Sequence, residues 1–378
     1  MRKIALPTGD LEVTLAHGED ELDALLGFAG RANAKRGFLF LSKVLGKHWP
    51  VKPSVMQAIH ARMAADVPAS TGPVVFIALA ETAIGLGQGV FEAWLRAHPG
   101  RAALFIHTSR YRVGTTPIIE FEEAHSHAPR QFLHMPPDPA HRALLESAAM
   151  LVLVDDEAST GNTFLNLAHA CRRINPQLTR VHLSTIVNFM GAVATEQLTE
   201  RLALPVTLGA LVSGAYRFQP GASVATPLPA QLFDADADRG ASTAFGRLGI
   251  DRPLAVPLLM DAIAPGARVL VLGTGEFMHA PALLAASLEQ RGIDVVVQST
   301  TRSPVLVGGA VACALAFPDN YGEGVGNFLY NVAPGQYDHV FICHETAPNA
   351  ALFHLARLLD ARLLHFATET HVSDIPVC

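Results

Sequence analysis

Charge is scarce in this 378-residue chain: Asp, Glu, Lys and Arg make up 16% of it and the formal net charge is −6. No global basic field is present, so the expected partners include no nucleic acid, and any basic cluster has to be argued locally. Cysteine is scarcer still. Cys171, Cys313, Cys343 and Cys378 stand far apart without a CxxC pair, which argues against a disulfide framework or a zinc ribbon and for a reducing, cytoplasmic location. No apolar run reaches the ~18 residues a membrane span needs, and Pro7, Gly9 and Asp10 interrupt the apolar start of the chain. No membrane partner is expected. What is plentiful is apolar residue, 50% of the total, enough to bury two cores, and length alone predicts two or three domains.

The most informative stretch is 150–164, where an apolar run meets an acidic pair and passes into a small, hydroxyl-rich turn. Met150 to Val154 read as a buried parallel strand, and Phe164 to Arg173 as a helix with Phe164, Leu165, Leu167, Ala168 and Cys171 inward. Between them, Ala158 to Thr163 can wrap a phosphate with successive backbone N–H groups and the Ser159, Thr160 and Thr163 hydroxyls, because a helix N-terminus favours an anion. Asp155 and Asp156, at the strand's carboxyl end, are placed to accept hydrogen bonds from a vicinal diol. A diol with a terminal phosphate means a ribose 5-phosphate. The bland alternative is a βα turn whose Asp and Ser residues cap the helix.

Val-Leu-Val-Asp-Asp-Glu-Ala-Ser-Thr-Gly-Asn-Thr, residues 152–163, is similar to the PRPP-binding signature of type I phosphoribosyltransferases. That resemblance implies an α/β fold, a parallel sheet flanked by helices and covered by a hood. It implies PRPP bound through Asp155, Asp156, Glu157, Ala158, Ser159, Thr160, Gly161, Asn162 and Thr163. Mg2+ would be the cofactor, held mainly by PRPP's own oxygens with no direct protein ligand. The second substrate would be a small-molecule base or nucleotide, and the reading admits a homodimer. The run 33–53 interleaves Lys35, Arg36, Lys43, Lys47, His48 and Lys52 with Phe38, Phe40 and Trp49. It resembles the hood of orotate phosphoribosyltransferases, which makes Lys35, Arg36, Phe38 and Phe40, with Tyr216, a base pocket. A solvated basic face packed by its aromatic stripe is the equal alternative.

Elsewhere in the first part, Ile4 to Leu15 read as a hairpin around Pro-Thr-Gly-Asp, and Pro53 to Ala65 as a helix with Val55, Ile59 and Met63 inward. Pro73 to Ala80 form a buried strand, followed by Glu81, Thr82, Ala83, Ile84 and Gly85 and a helix to Ala97. The resemblance makes that loop a pyrophosphate site, and its glycines would let backbone approach the ligand; tight helix packing explains them too. Arg110 and Arg112, beyond the strand Ala102 to His107, are the leading pyrophosphate ligands, since guanidinium meets phosphate in a bidentate fork. From Val113 to Asp138 the chain reads as an irregular loop, lid-like in the family, in which Arg130 with His125 or His127 supplies a cation. His125, His127, His134 and His141 lack the helical spacing of a metal site. Val181 to Val187 read as a strand, Glu196 to Ala203 as a short helix, and no period survives between Gly221 and Pro257. The domain reading is 1–225, a linker 226–260, and 261–378.

The second domain is expected to be a smaller, Rossmann-like α/β unit: a strand 268–272, a loop with Gly273, Gly275 and Glu276, a helix, and a strand into Thr301-Arg302-Ser303-Pro304. That tetrad resembles the TRSP domain, which follows phosphoribosyltransferase-like domains in bacterial tellurium-resistance-associated proteins. Gly85 and Gly273 are as far apart as Glu157 and Glu345, and Arg110 and Arg302 nearly so. The second domain therefore reads as a diverged half-copy of the first. Its own ligand site would gather Gly273, Gly275, Glu276, Thr301, Arg302, Ser303, His344, Glu345 and Thr346 at strand carboxyl ends. Cys343 and His344 do not make a nucleophile pair, because neighbours on a strand face opposite ways.

These readings predict a PRPP-dependent phosphoribosyltransferase that joins ribose 5-phosphate to a base with release of pyrophosphate, or the reverse, linked by the second resemblance to stress or tellurite resistance. Arg110, Arg112, Asp155 and Asp156 would carry the catalysis. Purine-salvage members often have Asp where this chain has Ser159, which leans the substrate toward an orotate-like anionic base. The rival reading is a PRPP or nucleotide sensor that binds without turnover.

Overall fold

The computed structural model describes residues 1–378 apart from 33–35, 115, 123–129, 222–238, 258–262 and 378, and apart from the side chains of 122 and 130. The chain opens on an antiparallel pair, β1 (Arg2–Leu6) and β2 (Gly9–His17), as the turn residues predict. Helix α1 (Leu22–Leu25) leads into a second hairpin, β3 (Leu26–Gly30) with β4 (Phe38–Ser42). Helix α2 (Pro53–Ala65) buries Met56, Ile59, His60 and Met63. Val55 is 42% exposed, against expectation. With Val55 and Met56 adjacent, the apolar period fits two phases one residue apart, and packing selects the Met56 phase.

Next come β5 (Val74–Ala78), α3 (Ile84–Ala97) and β6 (Ala103–His107). The expected irregular loop beyond β6 contains an antiparallel ribbon, β7 (Ile118–Glu122) with β8 (Arg130–His134). Phe121, Phe132 and Leu133 anchor it in the protein, a period-two signal that the intervening charges obscure. His125 and His127 lie outside the described residues, as does the side chain of Arg130. Helix α4 (Pro139–Ser147) delivers the chain to β9 (Met150–Ala158), then α5 (Asn162–Ile174), β10 (Arg180–Asn188), α6 (Gly191–Leu202) and β11 (Val206–Pro220). The first sheet runs β1-β2-β11-β10-β9-β5-β6, parallel from β11 to β6. Its central strands are apolar throughout because helices cover both faces.

The second sheet is built from β12 (Arg268–Gly273), α7 (His279–Gln290), β13 (Asp294–Ser299), the ribbon β14 (Ala314–Pro318) with β15 (Gly326–Tyr330), β16 (His339–His344), α8 (Ala350–Leu359), β17 (Arg362–Phe366) and β18 (Val372–Ile375). Its order is β13-β12-β16-β17-β18. The parallel quartet β17-β16-β12-β13 repeats the chain order of β10-β9-β5-β6, as a diverged half-copy requires. One hydrophobic cluster runs through both units, with Phe76 and Phe91 in the same core as Val269, Phe277 and Leu284.

Backbone pairs also cross between the units. Val51 and Val297 exchange N–H···O bonds of 3.1 and 2.8 Å, and Phe105 and Ile250 exchange two of 2.8 Å. Ile250 belongs to the periodless stretch between the sheets, and so does Arg247, which is 2% exposed. Its Nη1 and Nη2 each donate to Glu345 at 2.9 Å, and Nη2 also donates to Glu276 at 3.1 Å. Replacing Arg247 with Met leaves two buried carboxylates without their cation, a loss of about 3–5 kcal/mol. The expected result is a large fall in the urea midpoint. A midpoint within error of wild type would show that the trio adds nothing to stability.

Candidate active site

The two sheets meet at their carboxyl ends, the edges where open α/β sheets place ligands. From the first come Glu81 after β5, Ser109 and Arg110 after β6, and Asp155 to Glu157 at the end of β9. From the second come Glu276 after β12, Arg302 after β13 and Glu345 after β16. They interlock. Ser109 Oγ donates to Glu276 Oε2 at 2.7 Å and the Arg110 backbone N–H to Glu276 Oε1 at 2.6 Å. Arg302 Nε reaches Glu81 Oε2 at 3.2 Å, while Lys47 Nζ lies 2.6 Å from Glu81 Oε1.

On the side of β9 and α5 the strand runs further than expected. β9 keeps its pairing to β10 as far as Ala158, so the acidic residues are strand residues and alternate in direction. Asp156 faces the loop after β5, where its Oδ1 accepts from Thr82 Oγ1 at 2.8 Å. Gly161 begins α5 with φ of 74°, and no side chain caps the helix. A Cβ there would meet Met190 Sδ at 2.8 Å, so glycine is required by conformation and by space. Ser159, Asn162 and Thr163 are half-buried and Thr160 is exposed around that N-terminus. Backbone N–H groups at the start of a helix favour an anion.

The loop after β5 is short. Ala83 caps α3 and Gly85 already lies inside it, buried beside Met278 of the second unit. Gly87 and Gly89 sit deeper in the helix, where a Cβ would come within 2.4 Å of Ala78 and 2.1 Å of His60. These two glycines serve close helix packing, which leaves Ala80 to Ala83 as the part of the loop able to face a ligand. Ala80 O accepts from Arg110 Nη2 at 3.4 Å and from Gln131 Nε2 at 3.3 Å. The Arg112 guanidinium lies 5.3 Å over the Phe132 ring.

On the hood side, Arg36 Nη2 donates to both Glu157 oxygens, at 2.7 and 2.9 Å, and its guanidinium lies 4.5 Å over Phe38 and 5.5 Å over Phe40. Phe38 and Phe40 are themselves core residues, 3% and 2% exposed, in ring contact with Tyr216 at 5.1 and 5.4 Å. Their role here is to orient Arg36. Lys35 lies outside the described residues.

Of the residues expected to form a separate site in the second unit, Gly275, Glu276 and Arg302 bond to the first unit and Glu345 to the intervening stretch, while Gly273, Thr301, Ser303, His344 and Thr346 meet partners within their own unit. Gly273 lets Phe277 O approach to where a Cβ would be 2.3 Å away. Gly275 O accepts from Lys47 Nζ at 2.7 Å. Thr301 Oγ1 accepts from the Ser303 N–H at 3.2 Å, Tyr321 OH donates to Glu345 at 3.0 Å, and Asn320 Nδ2 donates to Thr346 Oγ1 at 3.0 Å. His344 Nδ1 is 2.8 Å from Thr346 O, and burial pushes its pKa down to about 4. Lys47 and Arg247 are the important side chains that sequence reasoning did not single out. Lys47 was one cation among several in the 33–53 run, and Arg247 had no periodic context at all.

Burial by itself would raise the Glu81 carboxyl, but the charges of Lys47, Arg302 and Arg110 outweigh it and hold the pKa at about 2. Burial works against the Lys47 ammonium. The Glu81 carboxylate, 2.6 Å from Nζ, pulls the other way, and Gly275 O accepts from Nζ. Glu157 is raised, by burial and by its neighbour Asp156, against the pull of Arg36.

Two α/β sheets joined at their carboxyl edges, with an acidic strand end beside a helix N-terminus, form the kind of edge where open α/β proteins place ligands. The chain belongs to the phosphoribosyl transferase family: that family's model matches residues 25–215, half of the chain, and a model described as the TRSP domain C-terminal to it matches 253–361. Adenine phosphoribosyl transferase from Trypanosoma brucei, in complex with AMP, pyrophosphate and ribose-5-phosphate, is 13% identical, covering 50% of this chain and 78% of that one at a TM-score of 0.34. The Giardia lamblia enzyme complexed with 9-deazaadenine is 17% identical over 50% and 96%, TM-score 0.34. Mycobacterium tuberculosis orotate phosphoribosyltransferase is 16% identical over 50% and 92%, TM-score 0.27. No curated protein matches the chain by sequence.

The depressed Glu81 pKa has a consequence for acid stability. Its ordinary value is 4.5, so the stabilisation is complete above that pH and is lost as pH falls toward about 2. Urea midpoints measured across this window should fall more steeply for wild type than for Glu81→Gln. Parallel slopes would mean that the Glu81 carboxylate is not held by these cations.

Proposed function

We propose that the protein is a PRPP-dependent phosphoribosyltransferase that joins ribose 5-phosphate to a base with release of pyrophosphate, or runs that reaction in reverse. The observation that carries this reading is the run from Asp155 and Asp156 into the uncapped N-terminus of α5, with Thr82 of the facing loop hydrogen-bonded to Asp156. A ribose diol fits the carboxylates, its 5-phosphate fits Ser159 to Thr163, and the pyrophosphate then falls toward Ala80 to Ala83 and Arg110.

Loss of pyrophosphate from C1 builds positive charge on the ribose and negative charge on the leaving group. Catalysis is then a matter of stabilising the leaving group and aligning a nitrogen nucleophile. Arg110 is the strongest candidate on the leaving-group side because it lies against Ala80 O. Asp155 and Asp156 hold the sugar and favour its developing charge. Magnesium, when bound, would neutralise pyrophosphate charge. Among the described residues no group of three His, Cys, Asp or Glu side chains is arranged to hold a metal. Among the described residues no helix is long and apolar enough to cross a membrane.

The base is the open variable. Arg36, fixed between Glu157 and the Phe38 ring, supports an anionic base of the orotate kind. The test is incubation with PRPP, Mg2+ and a panel of purine and pyrimidine bases while pyrophosphate release is followed. Asp156→Asn should lower kcat/KM about 10- to 100-fold, the worth of one hydrogen bond to a charged group. Tight PRPP binding without turnover on any base would instead support the sensor reading, which the internal neutralisation of Glu81 by Lys47 and Arg302 favours. A link to tellurite resistance would appear as tellurite sensitivity of a strain lacking the protein.

A further inference from the structure

We infer that Arg302, carried by the second unit, is a pyrophosphate ligand of the first unit's site, and that the diphosphate group gains it by displacing the carboxylate of Glu81. The inference rests on the PRPP reading above and assigns one wall of that site to the C-terminal domain.

Position is the first argument. Glu81 is one residue from Thr82, whose hydroxyl touches Asp156, so the Arg302 Nε that meets Glu81 at 3.2 Å stands beside the strand end assigned to the ribose. The segment that carries Arg302 is bound to the first unit's hairpin. Ala32 N–H donates to Pro304 O at 3.2 Å, Leu306 N–H to Gly30 O at 2.9 Å and Ala310 N–H to Phe28 O at 3.1 Å. Tyr330 secures it from its own side, donating to Ser303 O at 2.7 Å and accepting from the Val305 N–H at 2.8 Å. Arg302 thus sits where the hairpin, the loop after β5 and the loop after β6 come together.

Orientation is the second. The guanidinium lies 5.5 Å over the Tyr111 ring, and that ring stacks on Tyr321 at 4.5 Å. Glu323 accepts from Nη1 on the other side. An arginine held flat on an aromatic face keeps its fork fixed for a planar or tetrahedral oxyanion. Arg110 Nη2 meets Ala80 O while Arg302 Nε meets Glu81, so both arginines reach the same short loop.

Exchange is the third. Two cations hold Glu81, and they differ in access: the Lys47 side chain is 0% exposed and that of Arg302 13%. Lys47 is bonded on its far side to Gly275 O and can go on holding Glu81 when Arg302 turns to a ligand. A diphosphate brings more charge than one carboxylate and accepts the guanidinium fork bidentately, so it competes for Arg302. Lys47 is therefore a positioning residue, and Arg302 a residue that touches substrate.

The experiment measures calorimetric binding of PRPP, inorganic pyrophosphate and ribose 5-phosphate to the full chain with Mg2+ present. Arg302→Gln should weaken PRPP and pyrophosphate about 10- to 100-fold, the scale of charge-assisted hydrogen bonds, and leave ribose 5-phosphate within about twofold. Arg302→Lys, which keeps the charge without the fork, should fall between. Glu81→Gln removes the competing carboxylate and should tighten pyrophosphate binding several-fold, a gain that misfolding cannot imitate. Wild-type affinity for PRPP in Arg302→Gln, an equal loss for all three ligands, or no gain in Glu81→Gln would each overturn the assignment. If wild type binds neither PRPP nor ribose 5-phosphate, the phosphoribosyltransferase reading itself falls, and this inference with it.

Discussion

Everything in this molecule depends on a seam of buried charge between two sheet edges. Glu276 takes hydrogen bonds from Ser109, from the Arg110 backbone and from Arg247, and Glu345 takes a fork from Arg247. Buried carboxylates are costly unless every oxygen is satisfied. Glu276 draws its partners from the first unit and the intervening stretch, and Glu345 from the intervening stretch and from Tyr321 of its own unit. Neither edge is therefore a complete surface without the other. The loop after β6, which bears Arg110, is shaped as much by Glu276 as by its own sheet.

This explains why the second sheet, built in the same strand order as the first, does not present a second copy of the first's site. In the first sheet the end of β9 is left half-buried, with Asp156 accepting from Thr82 and Glu157 from Arg36. At the matching end of β16, His344 and Glu345 are buried and turned to internal partners. The ligand edge of one half has become the clamp for the other. A seam of this kind also restrains sliding between the units, because displacing either by a few ångströms would strand several ionised groups at once.

The sequence was readable where local chemistry and position coincide. In the run 150–174 the buried strand and the helix have local causes in an apolar run and a helical period, whereas the strand's continuation through the acidic residues to Ala158 rests on its pairing with β10. The parallel core followed from apolar runs separated by helices. Other features were hidden for specific reasons. The β7–β8 ribbon breaks its own alternation with charges, so it resembled a loop. The role of Gly87 and Gly89 depends on Ala78 and His60, which lie on other elements. Arg247 gave no signal because its partners, Glu276 and Glu345, are distant in sequence and meet it only when both sheets are in place. Phe38 and Phe40 had the composition of an aromatic pocket, but composition does not say which face is open, and the packed neighbours Tyr216 and Phe189 close it.

The short loop Ala80 to Ala83 gathers these threads. Its Ala80 carbonyl takes Arg110 and Gln131 from the first unit, its Glu81 carboxylate takes Lys47 and Arg302, and its Thr82 hydroxyl reaches Asp156. Gln131 belongs to β8, so the β7–β8 ribbon is tied to the same loop. A ligand placed against this loop would reach, through one residue each, the ribbon, the carboxyl end of β9 and the second unit. Because Lys47 is fully buried and fixed to Gly275, the loop is anchored at one point while its other contacts remain open to exchange. That combination, one fixed ion pair and several adjustable partners, lets charge be redistributed around the loop without moving its backbone.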